Sequence, residues 1–282
     1  MSVGYTERQQ AMLQEMGIRV WVPPRVEVAE AAVPVVDVVV EGVGARVRGH
    51  DERGDVVARV VEVSAPVSGT VPEPVSELVP ASVVALRSTG VAAMDWDALR
   101  AAVSSCRACT LCERRKQTVF GVGHPQAQWM LIGEAPGEQE DLQGEPFVGK
   151  AGQLLDNMLR AVGLTRSEAP AHEQVYIANV LKCRPPQNRN PEPQEVAQCE
   201  PYLLRQIALV QPKLILAMGR FAVQSLLKTA EPIGRLRGRV HEVQGVPVVV
   251  TYHPAYLLRN PLDKARSWED LCLAREVMAR AG

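Results

Sequence analysis

The sequence has no apolar run long enough to cross a bilayer. Met1 to Gln10 are largely polar, with no apolar stretch behind them, so no secretory signal is expected and the expected location is the cytoplasm. An excess of charge of one sign is also lacking. The formal net charge is -1, which excludes a polycation that binds nucleic acid through bulk charge alone. Aromatic residues are scarce, at 4%, and none falls between Val22 and Gly90. That segment of 69 residues holds 22 valines and 7 prolines, and Pro34, Pro66, Pro72, Pro74 and Pro80 interrupt its valine pairs. Without aromatics or a sustained period it has little to bury, so residues 22–95 are expected to form a linker without fixed structure. A small β-element around Val35–Val63 is the alternative.

The charge divides at the same place. Residues 1–96 carry 8 Arg and no Lys against 13 acidic residues, a net of -5, while residues 97–282 carry 23 basic against 19 acidic residues, a net of +4. The later part is therefore compatible with a polyanionic partner, although its charge alone does not identify one. Before the linker, Tyr5, Met12, Leu13, Met16 and Ile18 recur at helical spacing among polar residues. Residues 1–21 read either as a docking helix on a tether, whose reach is roughly 45 Å for a flexible chain of that length, or as a helix packed on its own domain.

At 282 residues the chain has room for one large domain or two smaller ones. From residue 96 onward four apolar runs read as buried strands: Trp129–Gly133, Val175–Ala178, Leu214–Met218 and Val248–Tyr252. Helical patterns separate them, at Gly152–Val162, Pro193–Val210 and Phe221–Leu227. This alternation predicts a parallel sheet with helices on both faces, an α/β fold. Polar, Gly- and Pro-containing residues follow each run: Gly133 to Gly137, Asn179, Gly219 with Arg220, and His253 with Pro254. The carboxyl edge of such a sheet is where ligands bind.

Six cysteines in a chain expected to remain in a reducing compartment point to a metal centre or catalysis before disulfides. Cys106 and Cys109 form a C-x2-C pair, and Cys183 and Cys199, 16 apart, flank an Arg-, Asn- and Pro-rich loop. Four thiolates suit tetrahedral zinc or an iron–sulfur cluster, and spacing does not separate the two. Cys112 makes a second C-x2-C with Cys109 and is a rival ligand, whereas Cys272, in an apolar helical context, reads as a core residue.

Three segments carry a resemblance. They are Gly133-Glu134-Ala135-Pro136-Gly137-Glu138-Gln139-Glu140-Asp141 with Pro146-Phe147-Val148-Gly149-Lys150-Ala151-Gly152; Asn179 with Lys182-Cys183-Arg184-Pro185-Pro186; and His253-Pro254-Ala255-Tyr256-Leu257-Leu258-Arg259-Asn260-Pro261. In this order they resemble the motifs of the family 4 uracil-DNA glycosylases, over about Ser105 to Ala279 and not over residues 1–95.

The resemblance implies a three-layer α/β/α sandwich around a four-stranded, mainly parallel sheet, occupying residues 96–282. It implies a monomeric enzyme, with no membrane association, that flips uracil from DNA and hydrolyses its N-glycosidic bond. It also implies a structural 4Fe–4S cluster on Cys106, Cys109, Cys183 and Cys199, with Cys112 spare and with Arg184 and Arg189 near a DNA-facing surface.

In that reading Phe147 stacks on the base and Asn179 reads its Watson–Crick edge. His253 stabilises the departing uracil anion through O2, and Glu134 positions or activates water. Gly133 and Ala135 line the pocket with backbone groups, and Glu140 stands where the family excludes the thymine C5-methyl. Residues 5–21 would then dock a replication or repair protein. Rival readings are a variant that traps uracil-DNA covalently, a non-catalytic adaptor on the same fold, and a zinc-binding nuclease-like module.

Overall fold

The computed structural model of the chain describes residues 90–281. The expected docking helix at 1–21 and nearly all of the expected linker lie outside the described residues.

Among the described residues the strands are β1 (Val122–Gly123), β2 (Trp129–Gly133), β3 (Tyr176–Asn179), β4 (Leu214–Met218), β5 (Val240–Val243) and β6 (Val246–Thr251). The helices are α1 (Trp96–Ser104), α2 (Glu138–Gln143), α3 (Lys150–Ala161), α4 (Pro193–Val210), α5 (Arg220–Leu227), α6 (Ile233–Leu236), α7 (Pro254–Arg259) and α8 (Lys264–Ala281). The strands form one sheet in the order β1-β3-β2-β4-β6-β5. Its four inner strands, β3, β2, β4 and β6, are parallel. They correspond to the four apolar runs, with β2 and β4 at the expected bounds.

The expected four-stranded sheet is corrected to a mixed sheet of six. Both additions are antiparallel edges, β1 on β3 and β5 on β6. Neither has the sequence signature of a buried strand. The β1 element has only two residues, and β5 (Val-His-Glu-Val) alternates between exposed and half-buried side chains. A two-residue turn joins β5 to β6, with Gln244 and Gly245 both at positive φ, 52° and 79°. That backbone matches the twist of the two strands it connects.

Period-2 alternation along each inner strand builds the layers. Leu131, Ile177, Leu216 and Val249 face one cluster with Leu155, Met158 and Leu159 of α3 and Trp268 and Leu271 of α8. Their neighbours Met130, Ile132, Ile215, Ala217, Val248 and Val250 face the opposite cluster, with Leu203 and Ile207 of α4 and Val223 and Leu226 of α5. A third cluster surrounds α1, where Val91, Leu99, Val103, Leu111 and Tyr202 pack with Cys183 and Cys199. Asp95 caps α1, its carboxylate accepting from the Ala98 N–H at 2.9 Å.

Helix α3, on the way from β2 to β3, lies on one face, and α5, which follows β4, on the other. A crevice therefore opens between the carboxyl ends of these adjacent strands, the topological switch point of the sheet.

Candidate active site

Residues from every inner strand end meet at this crevice. Glu134 and Ala135 follow β2, Asn179 ends β3, Gly219 and Arg220 follow β4, and Tyr252 and His253 follow β6. Phe147 and Glu140 reach the same cleft from the segment between β2 and α3. All seven residues expected to bind or transform the substrate therefore belong to one site: Glu134, Ala135, Glu140, Phe147, Asn179 and His253 line the cleft, and Gly133 lies beneath it.

Gly133 is required by crowding. A Cβ there would lie 2.4 Å from Asn179 Oδ1 and 2.6 Å from Phe147 Cζ, so no larger residue fits without moving both. Asn179 is buried, and its Oδ1 has no hydrogen-bond partner. A buried acceptor left unpaired costs about 1–3 kcal/mol.

Phe147 is also buried, with a left-handed backbone at φ 57°. For a bulky residue that conformation costs on the order of 1–3 kcal/mol. The surroundings enforce it. Arg166 Nη1 donates to the carbonyls of Pro146 (3.1 Å) and Phe147 (2.9 Å), and the next N–H, of Val148, donates to Glu140 Oε1 at 3.0 Å. Glu140 Oε2 accepts from the Gly137 N–H at 3.1 Å, so this carboxylate ties the two halves of the loop together. Gly152 lets α3 start against the same turn, since a Cβ there would lie 1.7 Å from the Phe147 carbonyl oxygen.

His253 caps α7. Its Nδ1 accepts from the Ala255 N–H at 3.1 Å, which leaves Nε2 to carry the proton of the neutral ring. Burial holds the imidazole down to about 4, with Glu140 opposing that shift and Arg259 adding to it. The ring is therefore a neutral donor at physiological pH. Burial pushes the Glu134 carboxyl the other way, up to about 7, with the Arg220 guanidinium opposing. A carboxyl poised there can exchange a proton near neutrality.

Away from the crevice, the four expected cluster ligands Cys106, Cys109, Cys183 and Cys199, together with Cys112, line a single small cavity beside α1. Cys183 Sγ accepts from Arg115 Nη1 at 3.1 Å, and Cys199 Sγ from the Lys182 backbone N–H at 3.3 Å. Burial raises the thiols of Cys109, to about 11, and Cys199, to about 12. Among the described residues no three His, Cys, Asp or Glu side chains are grouped to hold a metal ion. Cys272, expected as a core residue, is only half-buried on α8, packed against the edge of the first cluster.

Arg184 and Arg189 both carry ion pairs. Arg184 lies 3.6 Å from Glu138, and Arg189 makes a two-pronged contact with buried Glu195 at 2.9 and 2.6 Å. Arg189 lines the cleft, but its guanidinium also braces the loop to α4.

Sequence reasoning missed three residues. Arg166 has no motif around it, and in sequence Arg220 reads only as a strand-end residue. Lys182 sits inside a quoted segment, yet nothing in its type suggests a fully buried ammonium bonded to the Asn179 carbonyl (2.7 Å) and Gln206 Oε1 (2.6 Å).

The profile of the Uracil DNA glycosylase superfamily matches residues 120–274. Three relatives are each named type-4 uracil-DNA glycosylase. That of Archaeoglobus fulgidus is 46% identical over 167 residues, covering 56% of this chain and 81% of its own. That of Saccharolobus solfataricus is 41% identical over 186 residues, covering 63% and 83%. That of Thermotoga maritima is 40% identical over 184 residues, covering 64% and 93%. By this match, over more than half its length, and by the site its strand ends assemble, the chain belongs to the type-4 family of the uracil-DNA glycosylase superfamily.

Proposed function

We propose that the protein excises uracil from DNA by hydrolysing the bond between deoxyribose C1′ and uracil N1, releasing free uracil and leaving an abasic site for base excision repair. A stacked base is out of reach of the crevice, so the nucleotide must rotate out of the duplex. Phe147 offers a ring face to the flipped base. Asn179 then pairs with its edge, Oδ1 accepting from N3–H and the amide donating to O4. Cytosine lacks a proton on N3 and carries a donor at position 4, so both contacts fail with it. The buried, unpartnered Asn179 Oδ1 is the observation that carries this reading.

As the C1′–N1 bond breaks, its electron pair passes to uracil and positive charge develops on the sugar. His253, as the Nε2–H tautomer, donates to O2 of the departing anion. Glu134 as carboxylate faces the developing cation, orients a water toward C1′ and takes its proton as the C1′–O bond forms. Glu140 fixes the loop that sets how closely Phe147 and its neighbours approach C5, the position at which thymine carries its methyl.

Cys106, Cys109, Cys183 and Cys199 would hold a 4Fe–4S cluster, and Cys112, on the same cavity, remains outside that set. The site suits such a group chemically. Four soft donors, two of them buried, line one small cavity, and two N–H groups point at sulfur, as in sites that carry net negative charge. The cluster would supply a structural tie between the segment after α1 and the 183–199 stretch.

Replacing Asn179 with Ala tests the reading. The expected outcome is loss of single-turnover uracil excision by roughly 10²-fold or more, with unchanged affinity for DNA that lacks uracil. A variant that excises at the wild-type rate would remove Asn179 from base recognition.

A further inference from the structure

Phe147 could stack on a base only if its strained backbone is held in place before the base arrives. The residue that holds it lies outside every motif of the site. Arg166 follows α3 in a stretch anchored by its own bonds: Gln174 Nε2 donates to the Arg166 carbonyl at 3.1 Å, and Thr165 bridges to Gln174. Its Nη1 donates to both successive carbonyls, of Pro146 and Phe147, its Nε is paired with Asp156 Oδ1 at 2.6 Å, and its Nη2 is buried without a partner. Asp156 belongs to α3, the helix whose first turn, at Gly152, packs against the Phe147 carbonyl. One planar group thus links the helix, the loop and the residue with the positive φ.

We propose that Arg166, oriented by Asp156, is a positioning residue for uracil excision, holding Phe147 in the left-handed conformation that presents its ring to the flipped base. This rests on the reading of Phe147 as the stacking residue. A guanidinium is needed because two carbonyls and a carboxylate must be served in fixed geometry, which a lysine ammonium on a flexible stem does not reproduce. Arg166 is mostly covered and does not line the cleft, so it acts through Phe147 and not on the substrate.

The test is a double-mutant cycle with the full-length, iron-loaded protein, combining Arg166→Lys and Phe147→Ala. Single-turnover excision is followed as a function of DNA concentration. Arg166→Lys is expected to lower the maximal rate roughly tenfold, as expected for a misplaced contact at the reacting site, while the DNA concentration giving half the maximal rate stays within about twofold. The double variant is expected to be no slower than Phe147→Ala alone.

Losses that multiply in the double variant, or a wild-type rate for Arg166→Lys, would overturn the inference while leaving the stacking reading intact. A wild-type rate for Phe147→Ala would overturn the stacking reading itself, and this inference with it. Should thermal melting show Arg166→Lys to be unfolded, Asp156→Ala takes its place in the cycle, because it keeps the guanidinium and removes only its anchor.

Discussion

The Phe147 ring lies against the His253 imidazole, with centroids 5.2 Å apart and planes inclined by 27°. One ring is held by a strained loop after β2 and the other by the first turn of α7, so the contact joins the two halves of the crevice. The side chain proposed to stack on the base and the one proposed to stabilise its leaving charge thus share one surface. Replacing His253 with Ala is expected to slow excision by roughly 10²-fold or more, since its donor acts on charge that grows only in the transition state. Affinity for uracil-containing DNA should fall far less. A parallel loss of binding and rate would assign His253 to holding the substrate instead.

The proposed role of Glu134 carries a pH dependence. Its carboxyl is pushed up to about 7 and the proposed step uses the carboxylate, so kcat/KM should rise with pH and level off above 7. His253, held down to about 4, stays neutral through that range and does not contribute to the limb. Glu134→Gln should be slow and flat across the same interval. Stability moves oppositely. The folded state retains a proton on Glu134 that the unfolded chain, with an ordinary value near 4.5, has already lost, so this residue costs stability as pH rises from 4.5 to 7. Relative to wild type, Glu134→Gln should gain stability across that window in urea melts. A relative loss with rising pH would show that Glu134 is not a buried, raised carboxyl.

Cysteine substitutions test the cluster. Cys183 and Cys199 are buried among Leu99, Val103 and Tyr202, so losing a ligand there should cost iron and folded protein together. Cys183→Ala and Cys199→Ala are expected to lower iron content and the visible absorbance of the protein, whereas Cys112→Ala should retain both. Full iron content in either of the first two variants would refute the four-ligand assignment.

Removing residues 1–89 should leave excision on a short oligonucleotide nearly unchanged, because the crevice and the cysteine cavity are built from residues after Val91. The cut precedes Gly90, since Val91 is buried in the third cluster and Asp95 caps α1. Recruitment by a replication or repair partner is expected to weaken in the truncated form. A tenfold loss of single-turnover rate with iron intact would place the N-terminal part within the catalytic unit.

The inner sheet was legible because β2 and β4, buried on both faces, leave unbroken apolar runs such as Trp129–Gly133 and Leu214–Met218. The edges were not: two-residue β1 and half-exposed β5 bury too little to mark a sequence. The residues of the crevice were legible as strand-end residues and motif members, because Glu134, Asn179 and His253 each stand at a fixed place after an apolar run. What supports them was hidden. Arg166 and Lys182 act by donating to backbone carbonyls, a role that depends on where the chain folds back and leaves no spacing to read. In sequence Glu140 reads only as a residue facing the base, whereas its two oxygens accept from the N–H groups of Gly137 and Val148.

The most direct test uses the full-length protein and an oligonucleotide duplex with one uracil opposite guanine. Free uracil and abasic strand are quantified together under single-turnover conditions. The expected result is one uracil released per abasic site formed, with no release of thymine or cytosine from matched controls. Tight binding without release, or a covalent protein–DNA adduct in place of free uracil, would contradict hydrolytic excision.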